Sequence, residues 1–234
     1  MVGSMAEPDE SIGERFASER RALVEQIRHS ARRNGIVLSE PALSAIGRAP
    51  RERFVPVSRR HEAYTDQALP IGQSQSISQP TMVAWMTTLM NLAGHETVLE
   101  IGAGSGYQAM VLSILLDRGR VITLERLPHL AKLAHRRLEI LGASNVTVIE
   151  GDGSLGWREK APYDRILVTA AAPRVPEALL EELAPGGRLV APIGSRDIQE
   201  LVTIDLLESG ECNTAYHGRC AFVPLVGAQG WRKR

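Results

Sequence analysis

The sequence predicts an α/β fold: a doubly wound, mostly parallel sheet with an N-terminal helical extension and an antiparallel C-terminal edge. Short apolar segments alternate with helical patterns from Thr97 onward, and a glycine-rich turn follows the first of these segments. Such alternation is typical of βαβ units, which form parallel sheets. The last two apolar segments have no helix between them, so we expect at least one of them to be antiparallel.

The chain before Thr97 predicts helices rather than strands. Apolar residues at helical spacing, a serine N-cap and closing prolines predict helices at about 12–33, 39–49 and 80–92. Residues 1–12 are polar, and we expect them to form a disordered tail. Residues 13–94, the N-terminal helices and a polar loop, should pack on a core formed by residues 95–230. The whole chain is then one compact domain.

Within the core, strands and helices follow one another in order. The apolar segments that predict strands lie at 97–102, 120–126, 146–152, 163–172, 187–194, 200–208 and 221–227. Helical patterns run from the glycine-rich turn to about 116, at 127–142 and at 175–187, where a Pro-Gly-Gly turn ends the last one.

Composition excludes several classes of protein. Lysine plus arginine and aspartate plus glutamate are equal at 27 each, which argues against a strongly basic nucleic-acid surface. We find no apolar run of membrane-spanning length and no signal-peptide pattern. Cys212 and Cys220 lack the CxxC spacing of metal sites, so we expect no bound metal. These features together predict a cytoplasmic protein.

The glycine-rich turn "LEIGAGSGYQ" at 99–108 predicts a nucleotide-type site. Gly102, Gly104 and Gly106 directly follow the first strand, where open α/β sheets bind ligands beyond the carboxyl ends of their strands. Glycines there let the backbone approach a ligand closely. Dinucleotide folds place a third glycine at the position that Tyr107 occupies here, which disfavours a dehydrogenase.

Two acidic residues extend this site along the sheet. Glu125 ends the second strand of the core, where a carboxylate can accept hydrogen bonds from both hydroxyls of a ribose. Asp152 follows the third strand, and we expect it to accept a hydrogen bond from an adenine amine, with Gly153 allowing close approach. The residues by themselves therefore predict a ligand of the adenosine type without a pyrophosphate.

The sequence resembles the protein-L-isoaspartate O-methyltransferase family over about residues 37–227. The resemblance rests on motifs in matching order: "FVP" (54–56), "LPIGQSQSISQP" (69–80), "VLEIGAGSGYQA" (98–109), "GDG" with "GW" (151–157), "APYD" (161–164), "VTAAAP" (168–173), "GGRLV" (186–190) and "FVPL" (222–225). It implies a Rossmann-like methyltransferase that uses S-adenosylmethionine. Such an enzyme would methylate the free carboxylate of L-isoaspartyl residues, and more weakly D-aspartyl residues, in damaged proteins.

The same resemblance implies the functional residues. Ser78 matches the active-site serine of the family. The residues that would bind the cofactor are Gln75, Ser76, Ile77, Ser78, Gly102, Gly104, Gly106, Glu125, Asp152 and Gly153. Ser74 stands where the family has a glycine and Ser76 where it has a threonine. The resemblance also implies a monomer whose partners are damaged polypeptides, with no nucleic acid and no membrane.

Three alternatives remain open from the sequence. A methyltransferase of the same fold could act on a small molecule or RNA, a binding module could retain the pocket without catalysis, and a dehydrogenase is the third. Methylation of DNA bases is disfavoured, because "TAAAP" at 169–173 offers no aromatic residue to stack on a flipped base.

Overall fold

The computed structural model describes residues 10–232, and for residues 10–14 the backbone alone. The predicted disordered tail at 1–12 lies outside the described residues except for its last part, which forms the beginning of the first helix. The helices are α1 (Glu10–Arg33), α2 (Glu40–Arg48), α3 (Pro80–Leu89), α4 (Tyr107–Leu115), α5 (Pro128–Ile140) and α6 (Glu177–Glu181). None of them combines the length and apolar character that crossing a membrane requires.

The described strands form a hairpin and one large sheet. The hairpin consists of β1 (Leu69–Gly72) and β2 (Gln75–Ile77), and the sheet consists of β3 (Thr97–Ile101), β4 (Arg120–Glu125), β5 (Val146–Glu150), β6 (Tyr163–Val168), β7 (Leu183–Gly194), β8 (Gln199–Leu206) and β9 (Cys212–Cys220). Its order is β5-β4-β3-β6-β7-β8-β9. The strands from β5 to β7 are parallel and the last two pairs are antiparallel. This confirms the predicted doubly wound sheet with an antiparallel C-terminal edge.

The C-terminal edge differs from the prediction in its last strand. Residues 221–227 form only isolated bridges, to Ala171 and Trp231, whereas the edge strand is the unpredicted β9. Pro224 has no amide hydrogen to give to a ladder. The first five residues of β9 are exposed, so the strand shows no apolar alternation in the sequence.

The helix predicted at 175–187 is much shorter in the structure. It ends at Glu181, and Leu183 already pairs with Tyr163 in the sheet. The next paired residue is Arg188, opposite Arg165, so the Pro-Gly-Gly segment bulges out of β7 instead of ending a helix. Pairing to β6 therefore prevails over the local helical pattern.

Two arginines fix α3 against the sheet. Arg165 of β6 donates from Nε to the carbonyl of Met90 at 2.7 Å, and Arg188 of β7 donates to the carbonyl of Leu89 at 3.1 Å. Cations at a helix C-terminus satisfy carbonyls that have no partner within the helix. The opposite end of α3 follows the hairpin, so this anchoring sets the position of the polar loop at 69–80.

A carboxyl group lies wholly buried in the middle of the sheet. Glu100 of β3 is 0% exposed, and its partner is the hydroxyl of Thr123, which donates a hydrogen bond to it. Burial raises the pKa of Glu100 to about 8, the hydrogen bond from Thr123 opposes the rise, and the nearby carboxylate of Glu125 adds to it. Glu100 is therefore mainly protonated at neutral pH.

We expect Glu100→Gln to remove a pH-dependent part of the stability. The pKa of Glu100 rises from 4.5 to about 8 on folding, so the folded protein keeps a proton that the unfolded chain releases in this window. The free energy of unfolding thus falls as pH rises through the window. Measured by urea denaturation, the free energy of unfolding should fall by about 2 kcal/mol less between pH 6 and pH 8 in the variant than in the parent chain. Glu150→Gln, at an exposed strand end, is the control and should behave like the parent. If the free energy of unfolding falls equally between pH 6 and pH 8 in both variants, Glu100 is not the source of the pH dependence.

Candidate active site

A pocket lies beyond the carboxyl ends of β3, β4 and β6, where the topology of a parallel sheet places ligands. The hairpin, the glycine-rich turn and residues 223–226 enclose it. Eight of the ten residues predicted to bind a cofactor line this pocket: Gln75, Ser76, Ile77, Ser78, Gly102, Gly104, Glu125 and Gly153. The structure places Gly106 and Asp152 outside the lining.

The three glycines of the turn serve different purposes. All have positive φ, +98° at Gly102, +53° at Gly104 and +91° at Gly106, which favours glycine over other residues. A side chain at Gly102 would come within 2.5 Å of the Thr169 hydroxyl. One at Gly106 would instead meet Ala134 of α5 at 3.3 Å. Gly102 and Gly104 thus shape the pocket, and Gly106 allows helix packing behind it.

Glu125 presents its carboxylate to the pocket in a fixed orientation. Its Oε2 accepts a hydrogen bond from the amide of Gly104 at 2.8 Å, and its Oε1 accepts one from the amide of Leu127 at 2.9 Å. Each carboxylate oxygen can accept a second hydrogen bond. The glycine-rich turn and the end of β4 thereby hold an acceptor pair ready for two neighbouring hydroxyl groups.

Asp152 faces the C-terminal segment rather than the pocket. Its Oδ1 accepts from the amide and hydroxyl of Ser154 at 3.0 and 2.7 Å, and its Oδ2 accepts from the amide of Ala228 at 2.7 Å. The hydroxyl of Ser154 also accepts from the amide of Gln229 at 3.0 Å. These bonds fasten the chain that carries Leu225 and lines the pocket. The predicted contact of Asp152 with an adenine amine stays a prediction.

The polar loop at 69–80 forms one wall of the pocket as a tight hairpin. Gln73 and Ser74 connect its strands with φ of +54° and +55°, the two left-handed residues of a type I′ turn. Ser74 is exposed and does not line the pocket, so its side chain departs from the family glycine without entering the site. The left-handed backbone at this serine costs about 1 kcal/mol relative to glycine.

Arg51 holds the end of this loop from within the protein. Its side chain is 0% exposed, and its Nη2 donates to the carbonyls of Ser78 at 2.9 Å and Gln67 at 3.2 Å. The guanidinium lies 4.8 Å from the ring centroid of Tyr107, the first residue of α4. Burial lowers its pKa, and the electrostatic interaction with Tyr107 opposes that effect.

Asp66 fixes the same loop at the start of α3. Its Oδ1 accepts from the amide of Thr81 at 2.8 Å, and its Oδ2 accepts from the hydroxyl of Thr81 at 2.6 Å and from the side-chain amide of Gln79 at 3.2 Å. A carboxylate at a helix N-terminus satisfies a free amide and interacts favourably with the helix dipole. Sequence reasoning missed Asp66 and Arg51, because neither lies in a motif that binds ligands.

The composition of the lining limits the chemistry of the pocket. Its charged residues are Glu125 and the exposed Arg126, and it contains no histidine or cysteine. Within residues 10–232, no group of three or more His, Cys, Asp or Glu residues is arranged to hold a metal ion. The pocket is suited to binding and orienting groups rather than to transferring protons.

The comparison with known sequences identifies one family. The model described as protein-L-isoaspartate(D-aspartate) O-methyltransferase matches residues 19–230. A protein-L-isoaspartate O-methyltransferase of Methanopyrus kandleri is 47% identical over 231 residues, which cover 98% of this chain and 99% of the relative. One from Hyperthermus butylicus is 48% identical over 227 residues, covering 93% of this chain and 92% of the relative.

Solved structures agree with the sequence comparison. A structure described as a protein-L-isoaspartate O-methyltransferase superposes with a TM-score of 0.79 at 30% identity, covering 90% of this chain and 67% of the other. A putative enzyme of the same description from Plasmodium falciparum, in complex with S-adenosyl-L-homocysteine, gives a TM-score of 0.75 at 25% identity. It covers 88% of this chain and 98% of the other.

We expect Arg51→Met to loosen the loop that carries Ser78. The carbonyls of Gln67 and Ser78 would lose their buried donor, which should lower the free energy of unfolding by about 2 kcal/mol. Hydrogen–deuterium exchange should quicken in residues 67–79 before it does so in the sheet. Arg53→Met is the matched control, because Arg53 lies in the same turn but is exposed. Unchanged exchange in the loop of the Arg51 variant would show that Arg51 does not hold it.

Proposed function

The chain belongs to the protein-L-isoaspartate(D-aspartate) O-methyltransferase family, and we propose that Ser78 orients the substrate carboxylate beside the cofactor pocket. The enzyme transfers a methyl group from S-adenosylmethionine to the free carboxylate of L-isoaspartyl residues in damaged proteins, and more weakly to D-aspartyl residues. Family membership rests on a family model that spans residues 19–230 and on relatives close to half identical over nearly the full length. The roles of individual residues rest on the geometry of the pocket.

The lining of the pocket fits the adenosine part of the cofactor. Glu125 offers two oriented oxygens to the ribose hydroxyls, and Gly102 and Gly104 leave room for close approach of the backbone. Apolar side chains at Leu124 and Leu225 flank this region and suit the faces of an adenine ring. When bound, the cofactor supplies an electrophilic methyl group on a positively charged sulfur.

The substrate needs no catalytic base. A carboxyl group with a pKa of about 4 is already ionised at neutral pH and can act as the nucleophile directly. This agrees with a pocket lining that contains no histidine. The protein contributes by holding the carboxylate oxygen in line with the methyl group and by excluding water. Its anchored loop is suited to that task, since the backbone of Ser78 is fixed by Arg51.

The position of Ser78 is the observation that carries its proposed role. Ser78 lines the cofactor pocket and also a neighbouring cavity formed with Thr169, Phe222 and Val223. A carboxylate that enters from this cavity reaches the methyl group past the Ser78 hydroxyl, which can donate a hydrogen bond to it. The loop at 69–80 and the C-terminal segment at 222–231 thus form the walls of the acceptor site.

We further propose a monomeric cytoplasmic enzyme whose partners are damaged polypeptides, with no nucleic acid involved. The net charge of zero supports the last point, because nucleic-acid surfaces require an excess of basic residues. Residues 13–94 and 95–230 act as one unit in this proposal, since both contribute walls to the pocket. A methyl-acceptor assay that compares an isoaspartyl peptide with its aspartyl twin tests the substrate class directly.

We expect Ser78→Ala to lower turnover on an isoaspartyl peptide at least about tenfold, or roughly 1.4 kcal/mol in the barrier. The hydroxyl acts on the acceptor, so the affinity for S-adenosylhomocysteine measured by calorimetry should be largely retained. Ser74→Ala is the matched control in the exposed turn of the same loop and should leave turnover unchanged. Parental turnover in the Ser78 variant would remove this residue from catalysis.

Glu125→Ala should instead weaken cofactor binding by at least about tenfold. The variant loses the charge-assisted bonds to the ribose as well as the acceptor that orders Gly104. Calorimetric titration with S-adenosylhomocysteine measures the effect. Glu150→Ala serves as the control, because Glu150 lies opposite Glu125 at the end of the adjacent strand but does not line the pocket. Equal affinities in the two variants would refute the ribose assignment.

A further inference from the structure

A second groove lies beyond the acceptor site, between the connection of α1 to α2, the outward face of α3 and the edge strand β9. We propose that this flanking groove binds the polypeptide chain adjacent to the isoaspartyl residue. It has a volume of about 550 Å³, enough for several side chains. The inference rests on the function proposed above, since the groove has a role only if the substrate is a polypeptide.

The flanking groove adjoins the active site through shared lining residues. The cavity next to the cofactor pocket shares Ser76, Ser78, Thr169 and Val223 with that pocket. At its other side the same cavity shares Gln79, Met82 and Arg219 with the flanking groove. A chain whose carboxylate lies beside Ser78 would therefore reach the groove by passing Met82 and Arg219.

The length of the groove matches a short extended peptide. The groove follows one face of α3, along Met82, Trp85 and Leu89, and begins at Gln79, which directly precedes the helix. The ten residue steps from Gln79 to Leu89 rise about 15 Å along the helix axis. An extended chain covers that distance in roughly four or five residues. The groove would thus take residues up to about four positions from the damaged one.

The chemistry of the groove fits a polypeptide of variable sequence. Met82, Trp85 and Leu89 offer apolar contact to side chains, and Val37 stands 83% exposed on the opposite side. Arg219 can donate to backbone carbonyls, which every peptide has. β9 is also the edge of the sheet and pairs on one side with β8. Contacts of these kinds are compatible with many flanking sequences, and peptides with apolar flanking side chains should bind more tightly.

A peptide-length experiment tests the flanking groove. We expect Val37→Glu to raise the KM for an isoaspartyl nonapeptide with apolar flanking residues about three- to tenfold, at unchanged kcat. A tripeptide with the isoaspartyl residue in the middle should show no change, because it does not extend beyond the acceptor cavity. Cofactor affinity and melting temperature should match the parent protein, since Val37 is exposed.

The control is Ile140→Glu, which introduces the same charge at an apolar residue 60% exposed at the end of α5. α5 packs on β4 and β5, at the edge of the sheet opposite β9. This variant should have the same KM and kcat as the parent for both peptides. If Val37→Glu leaves the KM of the nonapeptide unchanged, or raises both KM values equally, the groove assignment is overturned while the activity stands. If the parent methylates neither peptide, the proposed function itself fails.

Discussion

The active site depends on one buried cation, the guanidinium of Arg51. It joins the end of the polar loop at Ser78 to the start of α4 at Tyr107, and so links two segments that line the pocket. Burying an arginine that forms no salt bridge is unfavourable, and the Nε and Nη1 of Arg51 have no hydrogen-bond partner. The net contribution of Arg51 to stability is therefore smaller than the cost of truncating it. Its effect is geometric: with Asp66 at the start of α3, it leaves the Ser78 backbone little freedom.

This constraint suits a reaction that has no proton to move. The nucleophile is already ionised, and the pocket lining contains no histidine. The protein can hold the carboxylate oxygen at a fixed distance from the methyl group and can exclude water, and both require a rigid pocket wall. The hairpin meets this need through a two-residue turn and backbone bonds, so a segment rich in serine and glutamine behaves as a structural element.

The sequence predicted those parts of the site that lie within local patterns. The glycine-rich turn, Glu125 and the parallel arrangement of the central strands follow from spacing and periodicity alone. Arg51 could not be found in this way, because it differs from exposed Arg53 only in its environment. The same holds for β9, because its exposed residues give no sign in the sequence that it pairs with β8. It also holds for Asp152, because its hydrogen-bond partner Ala228 is close in space but distant in sequence. Contacts between distant segments decided each of these cases.

The fastening of the C-terminal segment has a consequence for how the gene tolerates nonsense mutations. Asp152 and Ser154 bind the amides of Ala228 and Gln229, and the amide of Trp231 returns to the carbonyl of Leu225. A stop codon shortly after Leu225 would spare every described strand of the sheet. The truncated protein would lack the hydrogen bonds of residues 228–231 that hold Leu225 at the pocket. Residues 226–231 thus support the pocket although they belong to no strand of the sheet.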